Sequence, residues 1–258
     1  MNARRVIATV AQKGGVGKTF IAKLLHDLLP THGRRTASWD LDAATGTFAV
    51  YDEAIKTFDL NDRSVTTSWL DDCHRDDIDD VIIDVPGGRI DSLLQTFGNN
   101  STEALVATIT ATGRELVIVN PIGVMIAETV TAQVVLNAFA STAARIVIVK
   151  NGRFGAPGDF IVYDGINVDG ERRYGATSAL AVKLGAESLY LNGLSPGLLA
   201  QADAERLRLI SAAGPAGAKR LGHLSATRMR VLLNVAATDF LGSSLDLDGA
   251  IPKRGAQL

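Results

Sequence analysis

Short apolar runs recur along the first 155 positions, and most are followed by a stretch whose apolar residues return at helical spacing. Residues 6–11 (VIATVA) form a β-branched run that stops at Gln12-Lys13-Gly14-Gly15, and residues 20–29 (FIAKLLHDLL) follow with a helical pattern. Pro30 and Gly33 are expected to close that helix, and residues 35–41 (RTASWDL) read as a second strand running into Asp40 and Asp42. Val81-Ile82-Ile83-Asp84-Val85 is a continuous apolar run of the kind buried on both faces of a parallel sheet. Residues 115–120 (ELVIVN) and 145–150 (RIVIVK) repeat it, with a helix predicted over 124–140 between them. Residues 102–112 carry strand-like β-branched residues but read as a helix capped by Gly113.

Beyond that point the pattern weakens. Residues 151–175 read as loop with one short strand at 160–163, and helical patterns follow at 176–184, 197–212 and 225–241. Alternating strands and helices predict an α/β fold: a mostly parallel twisted sheet covered by helices on both faces. No linker or repeat divides the chain, so residues 1–258 are expected to form one domain, with a core over about 4–155 and a helical part over about 174–242 packed on it.

Composition narrows the classes. At 47% hydrophobic and 21% charged the chain is globular, and a formal charge of −2 excludes a generally cationic nucleic-acid coat, leaving any DNA contact to one face. Cys73 is the sole cysteine, which rules out an intramolecular disulfide framework or thiolate cluster and fits a reducing cytoplasm. The N-terminal apolar stretch is too short for a secretory signal, no run has the length of a membrane span, and Ile251-Pro252-Lys253-Arg254 is too broken to anchor an amphipathic helix. A cytoplasmic protein without membrane attachment is expected.

The chemistry concentrates at Lys13-Gly14-Gly15-Val16-Gly17-Lys18-Thr19, placed between a buried strand and a helix start. Glycines there let backbone N–H groups turn onto phosphate oxygens, the helix N-terminus adds its positive dipole end, Lys18 reaches the β- and γ-phosphates and the Thr19 hydroxyl suits Mg²⁺. The motif in this context predicts a P-loop NTPase fold. Gln12 stands where the generic motif has its first glycine, and a second lysine stands at 13.

That departure resembles the deviant phosphate loop of the ParA/MinD group of ATPases, over residues 4–155. The resemblance implies an ATP- and Mg²⁺-dependent ATPase, slow and partner-stimulated, that dimerises on ATP, with Lys13 reaching the partner subunit's nucleotide. It implies nucleotide contacts from residues 14–20, including Phe20, and from Asn151 at the adenine edge. Asp42 would orient the attacking water, Asp84 would hold Mg²⁺ with Thr19, Asp40 would support that shell, and Gly87-Gly88 would sense the γ-phosphate. After Asp42 this chain continues Ala43-Ala44-Thr45-Gly46, departing from the family's usual segment. Phe20 and Thr47-Phe48 look more like the ParA-like proteins encoded with conjugative-transfer genes. Plasmid or chromosome partition, intracellular positioning and DNA transfer are the implied roles, with a centromere-binding or transfer protein as partner.

Two competing classes remain: an ATP-dependent ligase like dethiobiotin synthetase or cobyrinate amidase, which has no general need of a trans lysine, and a nucleotide-binding module with little hydrolysis. Arg206, Arg208, Lys219, Arg220, Arg228 and Arg230 could form a nonspecific DNA face, or be the solvated sides of two amphipathic helices. The acidic run at 71–80, six Asp in ten residues, reads as a solvated acidic helix.

Overall fold

The computed structural model describes residues 3–42, 46–62, 68–97, 101–192 and 195–249. Its strands are β1 (Arg5–Thr9), β2 (Thr36–Asp40), β3 (Lys56–Thr57), β4 (Asp80–Asp84), β5 (Glu115–Ile122), β6 (Arg145–Asn151), β7 (Ile166–Val168), β8 (Glu171–Arg173) and β9 (Glu187–Leu191). The helices are α1 (Lys18–Thr31), α2 (Ser68–His74), α3 (Ile90–Gln95), α4 (Thr102–Ala111), α5 (Ile126–Phe139), α6 (Ile161–Asp164), α7 (Ala176–Lys183), α8 (Pro196–Ala204), α9 (Leu209–Ala212), α10 (Pro215–Leu221) and α11 (His223–Phe240). Seven strands pair in the order β3-β2-β4-β1-β5-β6-β9, every pair parallel, in a single α/β domain.

The continuous apolar runs are split between two cores by strand alternation. Val6, Ala8, Val81, Ile83, Ile118 and Ile148 face one side, under α2 to α7. Ile7, Ile82, Val117, Val119, Val147 and Val149 face the other, under α1, α8, α9 and α11. Successive residues of one strand are thus equally apolar in sequence yet serve different layers. The C-terminal helices complete the layer begun by α1, so they pack on the nucleotide-side helix and not as an appendage.

Several boundaries differ from expectation. α1 runs through Pro30 in its last turn and is ended by Gly33 in the left-handed region, at φ 77°. Residues 160–163 are not a strand: a 3₁₀ turn at Pro157–Asp159 leads into α6, and the strands of that region are the β7–β8 hairpin. The helix expected over 197–212 is broken into α8 and α9 at Arg206, whose φ is 51°, while Leu207 turns into the core. α10 and β9 carried no clear pattern; β9 is a five-residue edge strand, half-exposed for most of its length, so alternation there is blurred. α4 forms as expected, with the Ser101 hydroxyl accepting from the Ala104 N–H and Gly113 at φ 73° closing it.

The acidic run is a solvated helix only in part: α2 ends at His74, and Asp71, Asp76 and Asp77 are exposed, but two other carboxylates are internal. Asp72 is buried and accepts from Trp39 Nε1 at 2.9 Å and Lys56 Nζ at 2.9 Å. Asp80 is fully buried at the start of β4, gripped by Arg5 (Nε–Oδ1 2.7 Å) and by Arg34 (Nη2–Oδ1 2.8 Å). Two carboxylates of the run are therefore internal charges paired with cations: Asp80 ties the starts of β1 and β4 together, and Asp72 ties α2 to β2 and β3. Among the described residues no helix is long and apolar enough to cross a membrane; the tail at 251–254 lies outside them.

Candidate functional site

The predicted site residues sit at the carboxyl ends of the central parallel strands, where open α/β sheets place their ligands. β1 lies between β4 and β5, with Thr9 in register with Asp84. The chain leaves β1 through residues 10–17 and enters α1 at Lys18. Gly15 and Gly17 take φ of 80° and 108°, conformations that an L side chain resists. A Cβ at Gly17 would also stand 2.3 Å from Asn151 Nδ2, so glycine is demanded there twice over. Val16 is buried, whereas Lys13, Gly14 and Gly15 are exposed at the crest of the loop.

Asp84 is the hinge of the arrangement. Its Oδ1 accepts from the Thr9 hydroxyl and its Oδ2 from the Thr19 hydroxyl, both at 2.6 Å. Burial raises its pKa to about 6, more than the two hydroxyls and the Lys18 charge lower it, and nearby Asp40 raises it further. Lys18 is itself buried, which lowers its ammonium pKa, while Asp84 and then Asp42 hold it up. A buried carboxylate bearing neutral donors, beside a hydroxyl and a buried ammonium, has the hard-oxygen donor set that suits Mg²⁺ and a phosphate chain.

The Pro86–Arg89 turn stacks on the same loop. Gly88, at φ 70°, donates its N–H to Ala11 O at 3.1 Å. A Cβ at Gly87 would meet Gly14 N at 3.3 Å and Lys18 Nζ at 3.4 Å, so a larger residue would press on both phosphate-loop groups.

Asp40 is 1% exposed, and its carboxylate is occupied by backbone: Oδ1 accepts from Asp42 N, Oδ2 from Phe48 N and Ala49 N. It organises the turn after β2 and acts on Asp84 through its charge. Asp42 is half-buried and bridged to Asp59, with its carbonyl accepting from Gly46 N at 2.7 Å. Residues 43–45, where the chain departs from the family's usual segment, lie outside the described residues.

Asn151, expected at the adenine edge, has its side chain bonded to the phosphate loop. Its Nδ2 donates to Val16 O at 2.9 Å and its Oδ1 accepts from Arg153 N at 3.1 Å, with the residue 1% exposed. In this geometry it ties the phosphate loop to the end of β6. Beside it, a cavity of about 220 Å³ opens next to the start of α1, lined by Thr19, Phe20, Lys23, Arg153, Leu199 and Asp203. Phe20, expected to contact nucleotide, is one of its lining residues; Lys23, Leu199 and Asp203 come from α1's second turn and from α8, with no shared local pattern.

Of the six basic residues, Arg208 is the one turned away from the surface. Arg208 turns inward, its Nε and Nη2 donating to Asp27 Oδ1 at 2.8 and 2.6 Å, and its Nη1 pairing with Asp52. This removes Arg208 from the candidate DNA surface: Asp27 is a buried carboxylate whose charge needs a cation. Arg220 Nε pairs with Glu205 at 2.9 Å and Arg230 donates to Ala213 O at 3.0 Å. Arg206, Lys219, Arg220, Arg228 and Arg230 are all exposed.

A phosphate loop on the central strand, a buried threonine-braced aspartate on its neighbour and glycines packed over both define a P-loop nucleotide-binding domain. The chain matches the model of the CobQ/CobB/MinD/ParA nucleotide binding domain over residues 7–239, and it belongs to that family. Among curated proteins, none matches it in sequence. Among solved structures it is similar to the septum site-determining protein MinD of Pyrococcus horikoshii complexed with Mg-ADP, at 13% identity and a TM-score of 0.49 over 91% of this chain and 95% of that one. It is also similar to the MinC:MinD cell division complex of Aquifex aeolicus (12%, TM-score 0.48, 89% and 96%). A nucleotide-binding protein of Archaeoglobus fulgidus in complex with ADP is 20% identical, with a TM-score of 0.46 over 79% and 87%.

Proposed function

We propose that the protein is a Mg²⁺-dependent ATPase whose ATP-bound form dimerises, so that hydrolysis resets a switch. The observation that carries this reading is the convergence of Lys18, Thr19 and Asp84 beneath an exposed loop on which Lys13 is left at the surface. Residues 14–20 bind the phosphates through backbone N–H groups and Lys18 neutralises the β- and γ-oxygens. Thr19 and Asp84 would hold Mg²⁺, which spreads the charge developing on the transferred phosphoryl group. Asp42 orients the attacking water, and Asp40 holds the turn that presents it. Lys13 supplies a cation in trans to the partner's nucleotide, the logic of an arginine finger. The base occupies the cavity between Phe20 and α8, with Asn151 fixing the loop.

Turnover is expected to be slow and raised by a protein partner, a centromere-binding or transfer protein. The roles that follow are partition, positioning or conjugative DNA transfer in the cytoplasm, with DNA contacted through Arg206, Lys219, Arg220, Arg228 and Arg230. The test is sedimentation velocity with Mg-ATP and Mg-ADP. ATP should drive dimerisation, Asp42→Ala should trap the dimer and abolish turnover, and Lys13→Ala should lose it. A Lys13→Ala protein that still dimerises on ATP and turns over candidate carboxylic acids would move the protein to the ligase class.

A further inference from the structure

Lys13 is exposed on the phosphate loop, yet it is not left to solvent. Its Nζ lies 3.4 Å from Glu128 Oε1, in the first turn of α5, with the lysine side chain 44% and the glutamate side chain 10% exposed. The carboxylate is built into place. Glu128 Oε2 accepts from the Met125 N–H at 3.2 Å, capping α5, and a Cβ at Gly123 would stand 2.2 Å from that oxygen. One oxygen is thereby consumed by the helix start and the other is presented to Lys13. Around it the surface is apolar: Met125 and Ile126 are 61% and 67% exposed.

We propose that Glu128 is a positioning residue that holds Lys13 against its own subunit until a nucleotide-bearing partner arrives. The inference rests on the reading of Lys13 as the lysine that acts in trans. Association then includes an exchange of one carboxylate for a polyphosphate as the partner of the ammonium. The exchange runs towards phosphate because several negative charges replace one, in a site that closure dries. A half-exposed ion pair is weak enough to give way and strong enough to suppress premature use of the lysine. Glu128 therefore raises the threshold for dimerisation, whereas the phosphates meet Lys13 directly.

Glu128→Gln is the variant of choice, since the amide oxygen keeps the cap on Met125 N–H while the negative charge facing Lys13 is lost. Two measurements separate this proposal from the dimer reading beneath it. In the nucleotide-free protein, amine acetylation of Lys13 followed by peptide mass spectrometry should speed up about two- to five-fold in Glu128→Gln, the span of an exposed ion pair. Lys23 and Lys150, paired with Asp203 and Asp164, should be modified at unchanged rates. With a non-hydrolysable ATP analogue, the same variant should dimerise at a concentration about two- to five-fold lower than the wild type. Unchanged Lys13 labelling, or labelling that rises while dimerisation is equal or weaker, would overturn the proposal. A wild type that never dimerises on nucleotide sinks the trans reading itself, and the labelling still shows whether Glu128 holds the lysine.

Discussion

Two buried aspartates on neighbouring elements are treated in opposite ways. Asp27, inside α1, accepts from Arg208 Nε and Nη2, from Ile210 N at 3.0 Å and from the Tyr51 hydroxyl at 2.5 Å. Asp84, at the end of β4, has two hydroxyls and a lysine shared with other groups, and its pKa is pushed up to about 6. The first charge is matched within the protein, so it locks α1 to the turn before α9 and to the segment after β2. The second is left short of counter-charge, and that deficit is what a divalent cation can fill. A buried carboxylate thus identifies a site by what it lacks and not by being buried.

Removing the cation from the matched region should have the largest effect. Arg208→Ala leaves Asp27 buried beside Tyr51 and one N–H, and is expected to lower stability by about 3 kcal/mol in urea denaturation. Wild-type stability in that variant would place Arg208 back on the surface and restore it to the candidate DNA face.

Asp84 should show itself through pH. Its folded pKa of about 6 exceeds the unfolded 3.8, so its contribution favours the fold below 3.8 and is lost as pH rises through 6. In nucleotide-free, metal-free protein, the difference in stability between wild type and Asp84→Asn should therefore shift by about 2–3 kcal/mol between pH 4 and pH 7. A pH-independent difference would contradict the deficit of counter-charge. Mg-nucleotide should stabilise the wild type at pH 7 and fail to stabilise the variant to the same degree.

A smaller effect is expected where Asn151 joins the loop to the sheet. Asn151→Ala should cost about 1–2 kcal/mol, since Val16 O loses its donor in a buried setting. Nucleotide affinity, read by calorimetry, should fall through loosening of the loop, and by similar factors for ATP and GTP; a loss confined to ATP would return Asn151 to base reading. The smallest is a negative control. Burial pushes the Cys73 thiol up to about 12, so thiol reagents at pH 8 should leave the folded protein unmodified and react once it is unfolded.

Much of the phosphate loop was legible because it is local: the strand, the glycines, Lys18 and Thr19 are contiguous, and backbone sterics fix how such a stretch turns. Asp84 was legible as the polar end of an apolar run. The C-terminal third was not, since α10, β9 and the break at Arg206 have weak periodicity, α10 being set by packing on α9 and α11 and β9 by pairing with β6. Asn151 stood out by resemblance, but its amide orientation depends on Val16, 135 residues away.

The amino-acid sequence by itself determined the class of fold, the nucleotide loop and the residues able to serve a phosphate chain, because these depend on local backbone geometry and on the alternation that buries each strand. Only the tertiary structure decided which charges are spent inside the protein. Arg208 and Asp27 are 181 residues apart, Arg5 and Asp80 are 75 apart, and Lys13 and Glu128 are 115 apart. Electrostatic pairing acts through space over a few ångströms, and nothing in the local pattern of either partner records which distant charge the fold will bring beside it.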